Sequence, residues 1–226
     1  MLGTIYSRLQ GDNCYLFEKN YKNLFDLKET ETWKELILKI KKSSANKPFV
    51  KGYFDLLKDK FDYKRYGELV QNDNFYRIIS NCCKAETIEE RQLLQDIIYL
   101  YFITETYIGF IIETLITEEL DNRKIRYHKN DTLDLKYKTD LLVCGKHLQI
   151  KNFSFLETER LENKIIPYIK ANKRLYFVFY KISRDKITMV RIGGNAYIKA
   201  EKLNDFIQLL PTEEIILKKF IDDIVR

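Results

Sequence analysis

The stretch TDLLVCGKHLQIKNFS, residues 139–154, constrains the fold of this chain more than any other. A short apolar run, a glycine and a second, alternating run together fit an antiparallel hairpin. Side chains on a strand alternate with period two, so Leu148 and Ile150 point to one face and His147, Gln149 and Lys151 to the other. With Gly145 and Lys146 as a two-residue loop, glycine at the first central position suits a type II′ turn. That register sets Asp140 opposite Lys151 and Leu142 opposite Gln149. A carboxylate, an amide oxygen and an ammonium converge on one sheet face. A cross-strand ion pair on a solvated face explains the same juxtaposition, and the hairpin alone leaves both readings open.

The rest of the chain divides by pattern. The first half reads helical: TETWKELILKIKK, residues 30–42, repeats apolar residues at helical spacing through Trp33, Leu36, Ile37 and Ile40, and residues 49–57 and 75–83 resemble shorter helices. From Thr87, TIEERQLLQDIIYLYF opens with a capping box, Thr87 with Glu90, and helix extends to Leu120 with a bend expected near Gly109. After residue 122 the runs KIRYH, TDLLVC, HLQIKNF, RLYFVFY and KITMVRI are short, β-branched or aromatic. Between the third and fourth lies ETERLENKIIPYIKANK, an amphipathic helical stretch. Strands interrupted by such a helix predict an α/β fold with a mixed sheet and crossover helices. A soft boundary near residue 86 separates a helical region, 1–86, from the segment 87–226.

Composition bounds the partners. At 226 residues with 45% apolar and 32% charged residues, the chain has the make-up of a soluble globular protein that needs no disulfide staples. Its formal charge of +6 is uneven: residues 122–186 hold 16 Lys and Arg against 7 Asp and Glu, and the remainder is net acidic. A basic segment of that size attracts polyanions, nucleic acid above all. The 16 tyrosines follow the Lys-, Asn- and Ile-rich bias of the whole chain and are not counted as base-stacking platforms. The N-terminal residues show no basic stretch followed by an apolar one, so a cytoplasmic location is expected rather than secretion. The apolar run 93–120 is broken by Gln95, Asp96, Glu105 and Glu113 and reads as buried helix, with no membrane partner. The 4 cysteines show no zinc spacing and are expected to be reduced core thiols.

The order of elements carries more than any one residue. A helix containing GFIIETLITEEL precedes a strand, then a strand headed TD, a turn, QIK on the next strand, a helix and the strand RLYFVFY. Over residues 105–182 this resembles the core of the PD-(D/E)XK nuclease superfamily, which includes many type II restriction endonucleases. The resemblance implies a restriction-endonuclease-like mixed central sheet flanked by helices. The helical region 1–86 becomes an extension suited to DNA recognition or dimerisation. Asp140 matches the motif aspartate, Gln149 the middle acidic position and Lys151 the lysine, while Glu113 matches the helix glutamate that some of these families add. Thr139 replaces the motif proline, and Gln149 replaces an acid, which removes one negative charge. The resemblance further implies Mg²⁺, with Mn²⁺ as a substitute, held by Asp140, Gln149, Glu113 and the Ile150 carbonyl. It implies a homodimer cutting double-stranded DNA, with Lys151 serving the attacking water or the developing charge.

Secondary candidates are His147 beside the turn, and Asp131 and Asp134 as replacements for Asp140 under a different register. Lys136, Lys138, Asn152, Ser154, Lys164, Lys170, Lys173 and Arg174 are candidate DNA contacts, with strand ends and solvated helix faces as their ordinary roles. A structure-specific repair or recombination nuclease, and a non-catalytic nucleic-acid or protein-binding module, are the alternative functions.

Overall fold

The computed structural model describes residues 1–31, 33–35, 57–71, 87–155, 168, 175–191 and 217–226. They form two compact units, Gly3–Ile111 and Ile112–Arg226, the second also including Met1–Leu2. The helical stretches expected at 49–57 and 75–83, the latter part of 30–42, and most of the stretch after β3 lie outside the described residues.

In the helical unit, α1 (Leu2–Arg8) and α2 (Asp12–Lys28) are followed by α3 (Tyr63–Val70) and α4 (Ile88–Ile98). Helix α2 buries Phe17, Asn20, Tyr21 and Leu24, the i, i+3, i+4, i+7 stripe that helical period dictates. Asp62 caps α3 by accepting from the Arg65 N–H at 3.0 Å. The rings of Phe17, Tyr63, Tyr66 and Tyr107 interlock, with Phe17 and Tyr63 edge to face at 5.2 Å. At Gly67 an added Cβ would meet the Tyr99 hydroxyl at 2.9 Å, so glycine there permits a close approach.

The capping box at the start of α4 forms as the sequence predicts, Glu90 N–H donating to Thr87 Oγ1 at 3.1 Å and Thr87 N–H to Glu90 Oε2 at 3.3 Å. Helix then runs on, but its irregularity differs from the expected bend. Tyr99–Thr104 winds as π-helix, and Gly109 lies inside the regular α5 (Glu105–Asn122). Among the described residues no helix is long and apolar enough to cross a membrane.

The second unit is α/β and holds one open five-stranded mixed sheet in the order β1 (Tyr127–His128), β2 (Leu141–Val143), β3 (Lys146–Asn152), β4 (Leu175–Ile182), β5 (Ile187–Arg191). All neighbours are antiparallel except β3 and β4, which are parallel and therefore joined by a crossover. Four consecutive residues of β4, Phe177–Tyr180 in number, are buried, as expected of a strand covered on both faces. After β5, α7 (Leu217–Val225) buries Phe220, Ile221 and Ile224, and Lys146 Nζ donates to the Ile224 carbonyl at its C-terminus at 2.6 Å.

The hairpin forms, but its turn is not the expected one. Leu141 pairs with Leu148, Leu142 with His147 and Val143 with Lys146, so the two loop residues are Cys144 and Gly145. Both have positive φ, 49° and 74°, the signature of a type I′ turn whose twist matches that of the strands. Asp140 is therefore opposite Gln149, not Lys151, and Leu142 is opposite His147, not Gln149. The error is two residues, so each side chain keeps its expected face. Cys144 is consequently exposed in the turn rather than a core thiol, and Cys14 is half-buried.

A further helix, α6 (Asp131–Tyr137), occupies what the sequence pattern presents as a polar lead-in to β2. Asn130 caps it, accepting from the Leu133 N–H at 2.9 Å, Asp131 and Asp134 sit in its first turn, and Lys138 ends it in the left-handed conformation at φ 51°.

Candidate functional site

The hairpin opens at Asp140, one residue before β2. The Asp140 N–H donates to the Leu148 carbonyl at 2.8 Å, which prolongs the ladder and brings its side chain beside Gln149. One carboxylate oxygen, Oδ2, accepts from Gln149 Nε2 and from the Ile150 N–H, each at 2.6 Å. Thr139, at the motif's proline position, is fully buried. Its hydroxyl donates to the Tyr137 carbonyl at 3.0 Å and lies 3.1 Å from His147 Nδ1. His147 is thus half-buried and engaged, not the solvated turn residue its position suggests.

Gln149 is 2% exposed, and its Oε1 meets no donor among the described residues. The Asp140 Oδ1 likewise accepts no hydrogen bond there. A buried acceptor left unpaired costs about 1–3 kcal/mol, so an oxygen held this way is one a ligand or water would satisfy.

Burial pushes the Asp140 carboxyl up to about 7, opposed by Lys151 and the Ile150 N–H and reinforced by Glu113 and Asp134. At Lys151 burial works against the charge, but Asp140, Tyr168, Glu113 and Asp134 together hold the ammonium above its ordinary range. In a simple ion pair the aspartate would fall while the lysine rose. Here both rise, because burial at Asp140 outweighs the attraction of Lys151. The cross-strand ion pair considered from sequence is absent: among the described residues no carboxylate forms an ion pair with Lys151, whose Nζ lies 5.6 Å from the Tyr168 ring centroid.

Glu113 projects from α5 with its side chain 26% exposed, and its Oε2 accepts from Lys129 Nζ at 2.7 Å. Among the described residues no three His, Cys, Asp or Glu side chains group closely enough to hold a metal by themselves. Among the described residues the acid bonded to the hairpin is Asp140, with Glu113 and Asp134 in electrostatic reach. The donor chemistry nevertheless suits a hard cation, since Asp140 and Gln149, bonded side by side, each keep an oxygen that meets no donor among the described residues. The Ile150 contribution seen is its N–H to Asp140.

The remaining candidates scatter. Lys136 is exposed with Nζ 5.4 Å from the Tyr137 ring centroid, and Lys138 is half-buried at the end of α6. Asn152 Oδ1 accepts from the Ser154 N–H at 3.0 Å, the strand-ending role, and Ser154 is exposed. Asp131 is exposed. Lys164, Lys170, Lys173 and Arg174 lie outside the described residues. Two neighbours were not anticipated. Lys129 reaches Glu113 and Tyr168 reaches Lys151 through folding alone, and neither pairing leaves a local sequence signal. In comparisons with known proteins, the chain matches no family model, no curated protein and no solved structure.

Proposed function

We propose that this chain is a metal-dependent endonuclease hydrolysing phosphodiester bonds in double-stranded DNA, of the PD-(D/E)XK kind its motif resembles. The observation that carries the reading is the pair of oxygens, Asp140 Oδ1 and Gln149 Oε1, that no donor among the described residues reaches, with Lys151 two residues along the same strand and Glu113 in electrostatic reach. Those oxygens would hold Mg²⁺ or Mn²⁺, with Glu113 contributing directly or through water. When bound, the ion supplies Lewis-acid neutralisation of charge developing on the phosphate.

The chain's own groups do the positioning. The Ile150 N–H and Gln149 Nε2 both engage Oδ2, which fixes the carboxylate plane and leaves Oδ1 available. Lys151, two residues along the strand from Gln149, would stabilise charge developing on the phosphate or serve the attacking water. The basic segment 122–186 supplies attraction to the duplex, and a homodimer would place one site on each strand. A type II restriction enzyme is the specific form proposed.

Plasmid cleavage with Mg²⁺, Mn²⁺ or EDTA, run beside a gel shift in Ca²⁺, tests this reading. Discrete fragments that vanish with EDTA support restriction, whereas cleavage confined to branched DNA moves the reading to a repair nuclease. Metal-independent binding without cleavage of any DNA would overturn it in favour of a binding module.

A further inference from the structure

We infer that Gln149 takes the place of the cation's pull on Asp140, so that the site is assembled without metal and binds metal weakly. This rests on the metal-site part of the function proposed above. Two carboxylates at this pair of positions would repel unless a cation or proton lay between them. Gln149 instead presents Nε2 to Asp140 Oδ2 at 2.6 Å, an attractive contact, in a setting where the amide is 2% exposed and locked between strands. Its Oε1 meets no donor among the described residues, so the same side chain clamps the aspartate with one end and leaves a neutral ligand at the other.

The charge balance points the same way. Cation affinity at oxygen sites follows the number of charged ligands. Here the middle ligand is neutral and Glu113 is already paired with Lys129 at 2.7 Å. Lys151 brings a basic side chain to the same strand two residues along.

The test uses the full chain without DNA. Melting temperature is measured in EDTA, Mg²⁺ and Ca²⁺ for the wild type, Gln149→Glu and Gln149→Met, with calorimetric Ca²⁺ titration of each. The wild-type Tm is expected to be the same in all three conditions. Gln149→Glu is expected to melt about 5 °C lower in EDTA, to recover in Ca²⁺, and to bind Ca²⁺ about tenfold more tightly than the wild type. Gln149→Met loses the clamp and should melt lower in every condition, with no recovery. A wild-type Tm raised by Ca²⁺ as much as that of Gln149→Glu would overturn the inference, as would a Gln149→Glu that is fully stable in EDTA. If Gln149→Glu does not fold, the wild-type titration decides. Weak Ca²⁺ binding by the wild type supports the inference, and tight binding sinks it. None of these readouts requires cleavage, so a chain that behaves this way yet cuts no DNA loses the nuclease reading and keeps the assignment of Gln149.

Discussion

In the helical unit the buried polar groups close on one another. Asn20 Nδ2 donates to the Tyr63 hydroxyl at 3.1 Å, that hydroxyl lies 3.0 Å from Thr104 Oγ1, and the Tyr66 hydroxyl donates to Thr106 at 2.6 Å. In the sheet unit, Asp140 and Gln149 bond to each other and still keep an oxygen each that no donor among the described residues reaches. The first arrangement ties side chains of separate helical segments to one another and serves the core. The second holds capacity in reserve at a cost in stability, which is what a binding site requires. Substitutions in the helical unit should therefore register as lost stability alone, and substitution of Lys151 at the hairpin chiefly as lost activity.

The largest expected effect is on the core. Phe17→Ala removes a fully buried ring from the aromatic cluster and should cost about 4 kcal/mol, read by urea unfolding. Activity per folded molecule should be unchanged; a selective loss of cleavage would break the division of roles. Next, Lys151→Ala should lower cleavage by about 100-fold or more while the Tm and the Ca²⁺ gel shift stay close to wild type. Wild-type cleavage by that variant would remove Lys151 from the chemistry. Tyr63→Phe leaves Asn20 and Thr104 without their shared partner and should cost about 1–2 kcal/mol, seen in the same unfolding assay.

The smallest effect sharpens the contrast through pH. Burial pushes the Tyr63 hydroxyl up to about 12 from an ordinary 10.0, and burial also raises Tyr66. A folded-state value above the unfolded one means that the stabilisation is fully present below pH 10 and is lost as pH rises towards 12. Circular dichroism should show helix loss beginning above about pH 10, and Tyr63→Phe should lessen that dependence. An unfolding curve flat to pH 12 would show that these hydroxyls are not buried as described.

Legibility from sequence followed distance along the chain. The capping box of Thr87 and Glu90 was readable because its partners are three residues apart and its hydrogen bonds are local. The strands were readable because they are short β-branched or aromatic runs, although α6 was not, since a seven-residue helix with no buried side chain shows no apolar stripe. The turn failed for a specific reason. The sequence rule favours glycine at the first loop position, whereas here Cys144 takes that place with a positive φ that a non-glycine residue seldom adopts.

By itself, then, the sequence determined the α/β class, the strand order that makes a mixed sheet, and the sharing of one face by Asp140, Gln149 and Lys151. That last result survived a misplaced turn because strand alternation has period two, and a register error of two residues preserves every face while changing every neighbour. Only the tertiary structure decided that Asp140 bonds Gln149 and not Lys151, that Lys129 occupies Glu113, and that Tyr168 stands by Lys151. Those pairings join residues from separate elements, and the geometry that selects them arises when the strands and helices pack, after local propensity has finished its work.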